Sequence, residues 1–295
     1  MAPIEPCRAY KLGLSLGRIH ASSLHYGVNR YRMKGLGLEY VDFREYQEGD
    51  DLKHVDWKVS ARLPDPGQGY RLIVKEYEEE RIHRATIIVD LSLSMSFREK
   101  PWALGYSLTL ASSAAHTLGD QAILTVIGDG RVESRPAQPE LIPFMVKKLV
   151  CEKGFSGEST RETFMSAVDR AGRGDTIVLF TDYDNEPSLF TEISKTAVTR
   201  EGFPFIIAIL DPAEAGIEAS GIAVLQPLEP GRPVFGSLDR IYERIRIHVS
   251  KVNAALAAAR AAAVSVKGKT APSSRWSIIR GYISARAREP YKWGL

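Results

Sequence analysis

The chain has 295 residues, 44% hydrophobic and 25% charged, which excludes dominant disorder and allows one large domain or two modest ones. Its 39 basic and 36 acidic residues leave a net charge of +3, which excludes a whole-chain nucleic-acid footprint. Cys7 and Cys151 are too few for a disulfide framework. They stand alone, without the neighbours a zinc knuckle needs, so a reducing cytoplasm is expected.

The first residues, Met1-Ala2-Pro3-Ile4-Glu5, carry no apolar core of the kind a secretory signal has. The longest weakly apolar stretch, 253–266, contains Arg260 and falls short of the roughly 20 residues a membrane span needs. A soluble protein is expected, peripheral to a membrane if it touches one at all.

Three regions follow in chain order. Residues 1–82 are polar, charged and rich in turn formers, and read as an extension packed on the main domain. Residues 83–264 alternate short apolar runs with helical patterns. Residues 265–295 form a basic tail with seven basic residues against the single acid Glu289.

Within the middle region, 85–89 is a β-branched run that predicts a buried strand. Residues 101–118 repeat Leu104, Leu108, Ala111 and Ala115 at helical spacing, with Pro101 suited to the first turn. His116 on this apolar helix reads as a core residue. A strand at 121–127 leads through Gly128-Asp129-Gly130 toward Val132 as a hairpin. Helices are expected at 139–150, 161–171 and 187–200, and strands at 176–180 and 205–210. A late strand at 222–225 precedes a long helix over 238–264, where the alanine run favours helix strongly.

Alternation of this kind implies an α/β fold with a doubly wound, mainly parallel sheet. Its ligand crevice belongs at the carboxyl ends of the strands. In the tail, Trp276, Ile279 and Ile283 share one helical face. That stripe either packs on the domain or lies on an anionic membrane.

The first strand ends in Asp90-Leu91-Ser92-Leu93-Ser94. Alternate residues of an extended turn point to one side, so one carboxylate and two hydroxyls converge. That hard oxygen set suits Mg2+ or Mn2+. The strand at 176–180 runs into Thr181-Asp182, and adjacent parallel strands would bring Asp182 beside Asp90. The competing reading is that Ser92 or Ser94 caps the next helix.

Asp90-x-Ser92-x-Ser94 with Asp182 resembles the metal-ion-dependent adhesion site of von Willebrand factor A-type domains. The resemblance implies a divalent ion held by these oxygens, with an open position that a carboxylate of a partner protein fills. The family adds a threonine from an intermediate loop. Thr160 is the candidate here, although the register of Phe164, Ala167 and Val168 sets Glu162 where the threonine is usual.

A second motif lies earlier. Gly37-Leu38-Glu39, Arg44-Glu45-Tyr46, Gly49-Asp50, Asp56-Trp57 and Ser60-Ala61-Arg62 occur in this order. The series is very similar to the signature of the domain-of-unknown-function fifty-eight family, which joins it to a von Willebrand A-like domain. That resemblance implies a MoxR-type AAA+ ATPase as partner, because members are commonly encoded beside one. The function it suggests is an adaptor or co-chaperone delivering a client protein complex.

The interleaved charges favour ion pairs over polyanion binding. The segment reads as a structural clasp with Trp57 buried, as a docking surface formed by Arg44, Asp50, Asp56, Trp57 and Arg62, or as a second metal cluster of Asp50, Asp51 and Asp56. No phosphate-binding loop or nucleophile elbow is present. A metal-dependent hydrolase using Asp90 and Asp182 is the alternative function.

Overall fold

The computed structural model describes residues 5–22, 40–65, 69–77, 83–214, 222–225, 234–258 and 262–287. Contacts divide the chain into two units, one of Met1–His25 with Ile82–Leu295 and one of Tyr26–Arg81. This division differs from the three regions expected. The first residues and the tail both belong to the main unit, because each supplies a helix whose apolar side is buried there.

Helix α1 spans Pro6–Ser22. In the smaller unit, strand β1 (Tyr40–Glu45) is followed by the helical turn α2 (Trp57–Ser60), by β2 (Pro64–Asp65) and β3 (Gly69–Tyr70), and by β4 (Ile73–Tyr77). β1 pairs antiparallel with β4, and β2 with β3.

The main unit continues with β5 (Arg84–Asp90), α3 (Lys100–Thr117), β6 (Gln121–Gly128), β7 (Arg131–Ala137) and α4 (Ile142–Glu152). Then come α5 (Arg161–Asp169), β8 (Thr176–Asp182), α6 (Pro187–Thr199) and β9 (Phe203–Leu210). The last elements are β10 (Ile222–Leu225), β11 (Val234–Ser237), α7 (Leu238–Ala258), β12 (Ala262–Lys267) and α8 (Arg275–Ala287).

Six strands form one sheet in the order β12-β9-β8-β5-β6-β7. All neighbours are parallel except the β6-β7 hairpin at the edge. β5, β8 and β9 are buried almost throughout, as strands covered on both faces must be. Ile88, Ile177, Leu179 and Ile206 point to one face and meet Phe164, Phe190, Ile193, Val252 and Leu256 of α5, α6 and α7. On the other face lie α3 and α8. The expected doubly wound α/β architecture is therefore present. The strand order reverses between β5 and β8, which opens a crevice at their carboxyl ends.

α3 is buried all round because α1 covers the side that the sheet does not. Glycines let the two helices approach. A Cβ on Gly13 would sit 1.9 Å from the Trp102 carbonyl oxygen, and one on Gly105 would sit 2.5 Å from that of Tyr10. Tyr10 donates to the Pro143 carbonyl at 3.0 Å. The same docking brings Cys7 to Cys151, and the two are disulfide-bonded. They do not stand alone, so cysteine usage gives no argument for a reducing compartment.

Two further expectations change. The 238–264 helix ends at Ala258, and residues 262–267 form the edge strand beside β9. Sheet pairing overrides alanine's helical preference there, with Val264 and Val266 buried. The 222–225 strand exists but pairs antiparallel with β11 outside the main sheet.

His116 is exposed and paired with Glu140 at 2.8 Å, not part of the core. The tail helix packs through Ile278, Ile279, Tyr282 and Ala285, while Trp276 is exposed. Tyr282 and Arg286 both bond Asp120, at 2.6 and 2.8 Å. Residues 288–295 of the tail lie outside the described residues. Among the described residues, no helix is long and apolar enough to cross a membrane.

The helix crossing yields a first prediction. Gly13→Ala presses a methyl group into backbone that cannot yield easily, and should cost about 1–3 kcal/mol in urea denaturation.

Candidate functional site

Asp90 ends β5 opposite the Thr181–Asp182 end of β8, since Val89 pairs with Phe180. The carboxylate is 1% exposed. Its Oδ1 accepts from the Ser92 backbone N–H at 2.9 Å and the Ser159 hydroxyl at 2.7 Å. Its Oδ2 accepts from Thr181 Oγ1 at 2.8 Å. All three donors are neutral. Burial first, and then the charge of Asp182, push the Asp90 pKa up to about 6, against those hydrogen bonds.

Ser92 sits at the start of a short helical turn, Leu93–Ser96, without a side-chain capping bond. Residue Glu99 takes the cap position of α3. Capping therefore does not account for the serines. Their hydroxyl oxygens lie 3.1 Å apart. Six oxygens around a Mg2+-sized ion at about 2.1 Å are separated along an octahedral edge by ~3.0 Å, so the pair matches adjacent ligand positions.

Asp90, Ser92, Ser94, Thr160 and Asp182 line one cleft of about 420 Å3, together with Glu158, Ser159, Asp184 and Asn185. Thr160 begins α5, its Oγ1 accepting from Thr163 N at 3.4 Å, while Glu162 is exposed. The five expected residues are thus brought together.

Asp182 is the departure. Its Oδ2 accepts from Lys100 Nζ at 2.9 Å and its Oδ1 from Asp184 N at 3.1 Å. Lys100 is 1% exposed and also pairs with Glu214 at 2.7 Å. Burial opposes its charge, but Asp182 and Glu214 outweigh that and raise its pKa above the ordinary lysine value.

Sequence reasoning missed Lys100, Ser159, Thr181 and Glu214. Lys100 carried a signal, a lone cation leading an otherwise apolar helix. Ser159 and Glu214 carried none, because loops bring them in. Among the described residues, no group of three or more His, Cys, Asp or Glu could hold a metal. An ion here would depend on the hydroxyls. The donor chemistry fits one: hard oxygens, correctly spaced serines, and a buried carboxylate met by neutral donors.

The smaller unit uses most of its motif internally. Arg44 donates both terminal nitrogens to Asp50, at 2.6 and 2.7 Å, and Gln47 N donates to Asp50 at 2.8 Å. The Arg44 bonds, followed by that of Gln47, pull the Asp50 pKa down to about 2. Gly49 holds φ +109, a conformation that glycine adopts freely.

Asp56 caps α2 through Lys58 N and Val59 N, each at 3.0 Å, and pairs with Lys75 at 2.9 Å. Ser60 donates to Asp56 O and accepts from Ile73 N. Asp51 caps the turn Leu52–His54. These engagements leave no second metal cluster of Asp50, Asp51 and Asp56. Gly37-Leu38-Glu39 lies outside the described residues.

The expected burial of Trp57 is not found. It is 61% exposed, and Arg62 is exposed with it. The helical turn aims Trp57 outward while Val55, Ile73 and Val74 fill the interior.

A family model described as "Protein of unknown function DUF58" matches residues 42–259. The chain belongs to the DUF58 family. The match spans most of the charged motif and the strands that carry the cleft.

Several solved structures are similar to this DUF58 chain. BatB from Bacteroides thetaiotaomicron is 16% identical, with a TM-score of 0.42, over 70% of this chain and 100% of that one. An aerotolerance-related membrane protein from Bacteroides fragilis is 15% identical, with a TM-score of 0.41, over 68% and 99%. The SpRpn10 VWA domain is 12% identical, with a TM-score of 0.40, over 64% and 89%. The sequence matches no curated protein.

The site and the motif each give a prediction. Asp90 is harder to ionise folded than unfolded, so the folded state holds the extra proton between about pH 4 and 6. Without divalent ions, stability should fall as pH rises through that window, by at most about 3 kcal/mol, then level off. Asp90→Asn should flatten this segment of a denaturation-versus-pH curve. Trp57→Ala should shift stability by no more than about 0.5 kcal/mol, because the ring is on the surface.

Proposed function

We propose that this DUF58 protein is a divalent-ion-dependent protein-interaction module. It acts as adaptor or co-chaperone for a MoxR-type AAA+ ATPase and delivers a client protein complex to it. The observation that carries the ion dependence is the buried Asp90 carboxylate beside the paired Ser92 and Ser94 hydroxyls.

Mg2+ or Mn2+ is the ion such donors take. Asp90, Ser92 and Ser94 would hold it, with Thr160 and the buried Asp182 lining the same cleft. The ion would supply a Lewis-acidic position for a partner carboxylate. Ser159, Thr181 and the Ser92 N–H orient Asp90 toward that task. The ATPase partner rests on family membership. Trp57 and Arg62, both exposed in the same unit, offer side chains for it, since partly exposed tryptophan and arginine are favoured interface residues. The hydrolase reading has no specific observation in its favour, with Asp182 already engaged by Lys100.

Capture of the ATPase by the purified protein, in Mg2+ and in excess chelator, tests the reading. Capture should require Mg2+ or Mn2+ and be lost in Asp90→Ala. The same substitution should abolish the ion-induced rise in Tm, because a ligand of the native state stabilises it. A wild-type melting curve indifferent to millimolar Mg2+ and Mn2+ would overturn the ion dependence. Capture undiminished by chelator would separate the partnership from the ion.

A further inference from the structure

Asp182, the second strand-end carboxylate lining the cleft, is met by a buried protein cation. Lys100 reaches from the first turn of α3 to Asp182, 2.9 Å away, and to Glu214, 2.7 Å away. Its whole side chain is buried. The ring of Phe97 lies 5.9 Å from the ammonium. Glu214 is itself fixed, because its Oε2 accepts from Asp211 N at 2.9 Å. Asp211 in turn accepts from Glu99 N at 3.0 Å, just before Lys100 in the chain. The ends of β8 and β9 and the start of α3 are therefore closed into one network around this ammonium. Asp182 has both oxygens engaged, one by Lys100 and one by the Asp184 N–H. Asp90, in the same cleft, is bonded only by neutral donors among these interactions.

We propose that Lys100 is a positioning residue that withholds Asp182 from a bound divalent ion, so that of the two strand-end carboxylates Asp90, held by neutral donors alone, is the one left to meet it. The inference rests on the ion reading of the cleft and deepens it. An ion faced by one carboxylate and hydroxyls keeps net positive charge. Such an ion binds weakly and attracts an acidic group from outside. A second free carboxylate would cancel the charge and convert an exchangeable site into a tight, self-satisfied one. Lys100 thus sets both the affinity of the site and the chemistry of what completes it.

The test is Mn2+ titration calorimetry on wild type, Glu214→Gln and the double variant Lys100→Met with Glu214→Gln. The double change removes one positive and one negative charge, so the net charge of the site is preserved and only the masking of Asp182 is lost. The double variant should bind Mn2+ at least about 10-fold more tightly than wild type, the order of effect expected of an unmasked carboxylate near an ion. Glu214→Gln alone should stay within about 3-fold, well under the 1.4 kcal/mol that a tenfold change represents.

A double variant no tighter than wild type overturns the proposal while leaving the ion reading intact. Equal tightening by Glu214→Gln alone also overturns it. Mn2+ binding by the double variant and none by wild type supports the masking role and defeats ion dependence of the natural protein. Binding by neither defeats both.

If the double variant does not fold, Asp182→Asn carries the test, since Glu214 still neutralises Lys100. A masked Asp182 costs less than about 10-fold in affinity when removed, whereas Asp90→Asn costs more than about 100-fold. Equal losses overturn the proposal.

Discussion

The constraint on which the cleft depends is the burial of like charges at neighbouring strand ends. Asp90 and Asp182 face the same crevice, and burial together with the charge of Asp182 makes Asp90 harder to ionise. The fold answers the two differently. Asp182 receives a full counter-charge from Lys100, itself shared with Glu214. Asp90 receives three neutral hydrogen bonds, and its pKa stays raised. A buried charge with a partner is a settled structural element, whereas one with only dipoles around it retains attraction for a cation. That asymmetry distinguishes the candidate ion ligand from the scaffold within a single cleft.

The scaffold places this asymmetry where the sheet can expose it. The reversal of strand order between β5 and β8 parts the loops that follow them, and the serines after Asp90 lie in that opening. Helix α3 begins shortly after them in the chain and delivers Lys100 to Asp182. Its burial on every side fixes that delivery, and α1, closing on it through Gly13, Gly17 and Gly105, is what buries its outer face. The N-terminal helix, far from the cleft in sequence, is thus connected to it through a rigid element.

The charged motif has a divided character. Arg44, Asp50, Asp56 and Ser60 spend their polar groups on turns, caps and pairs within their own unit. Such residues specify a shape and have little left for a ligand. Trp57 lies on the outer side of the turn that Asp56 caps, and its ring is largely exposed there. A motif that reads as one signature therefore separates into a scaffold and the side chain the scaffold presents.

The sequence by itself determined the alternation of strands and helices, and with it the sheet class and the crevice. Those follow from local periodicity, which burial of one strand or helix face imposes on nearby residues. It also grouped Asp90, Ser92 and Ser94 from the alternation of an extended chain, although in the structure Ser94 lies in the helical turn Leu93–Ser96, which brings it to the same cleft. Tertiary structure alone decided what depends on distant segments meeting. The Cys7–Cys151 bond requires α1 to dock beside α4. The edge strand Ala262–Lys267 wins over alanine's helical preference only because β9 offers it a hydrogen-bonding edge. Lys100 becomes the partner of Asp182 because its burial leaves the ammonium no water, and the carboxylates of Asp182 and Glu214 must take water's place.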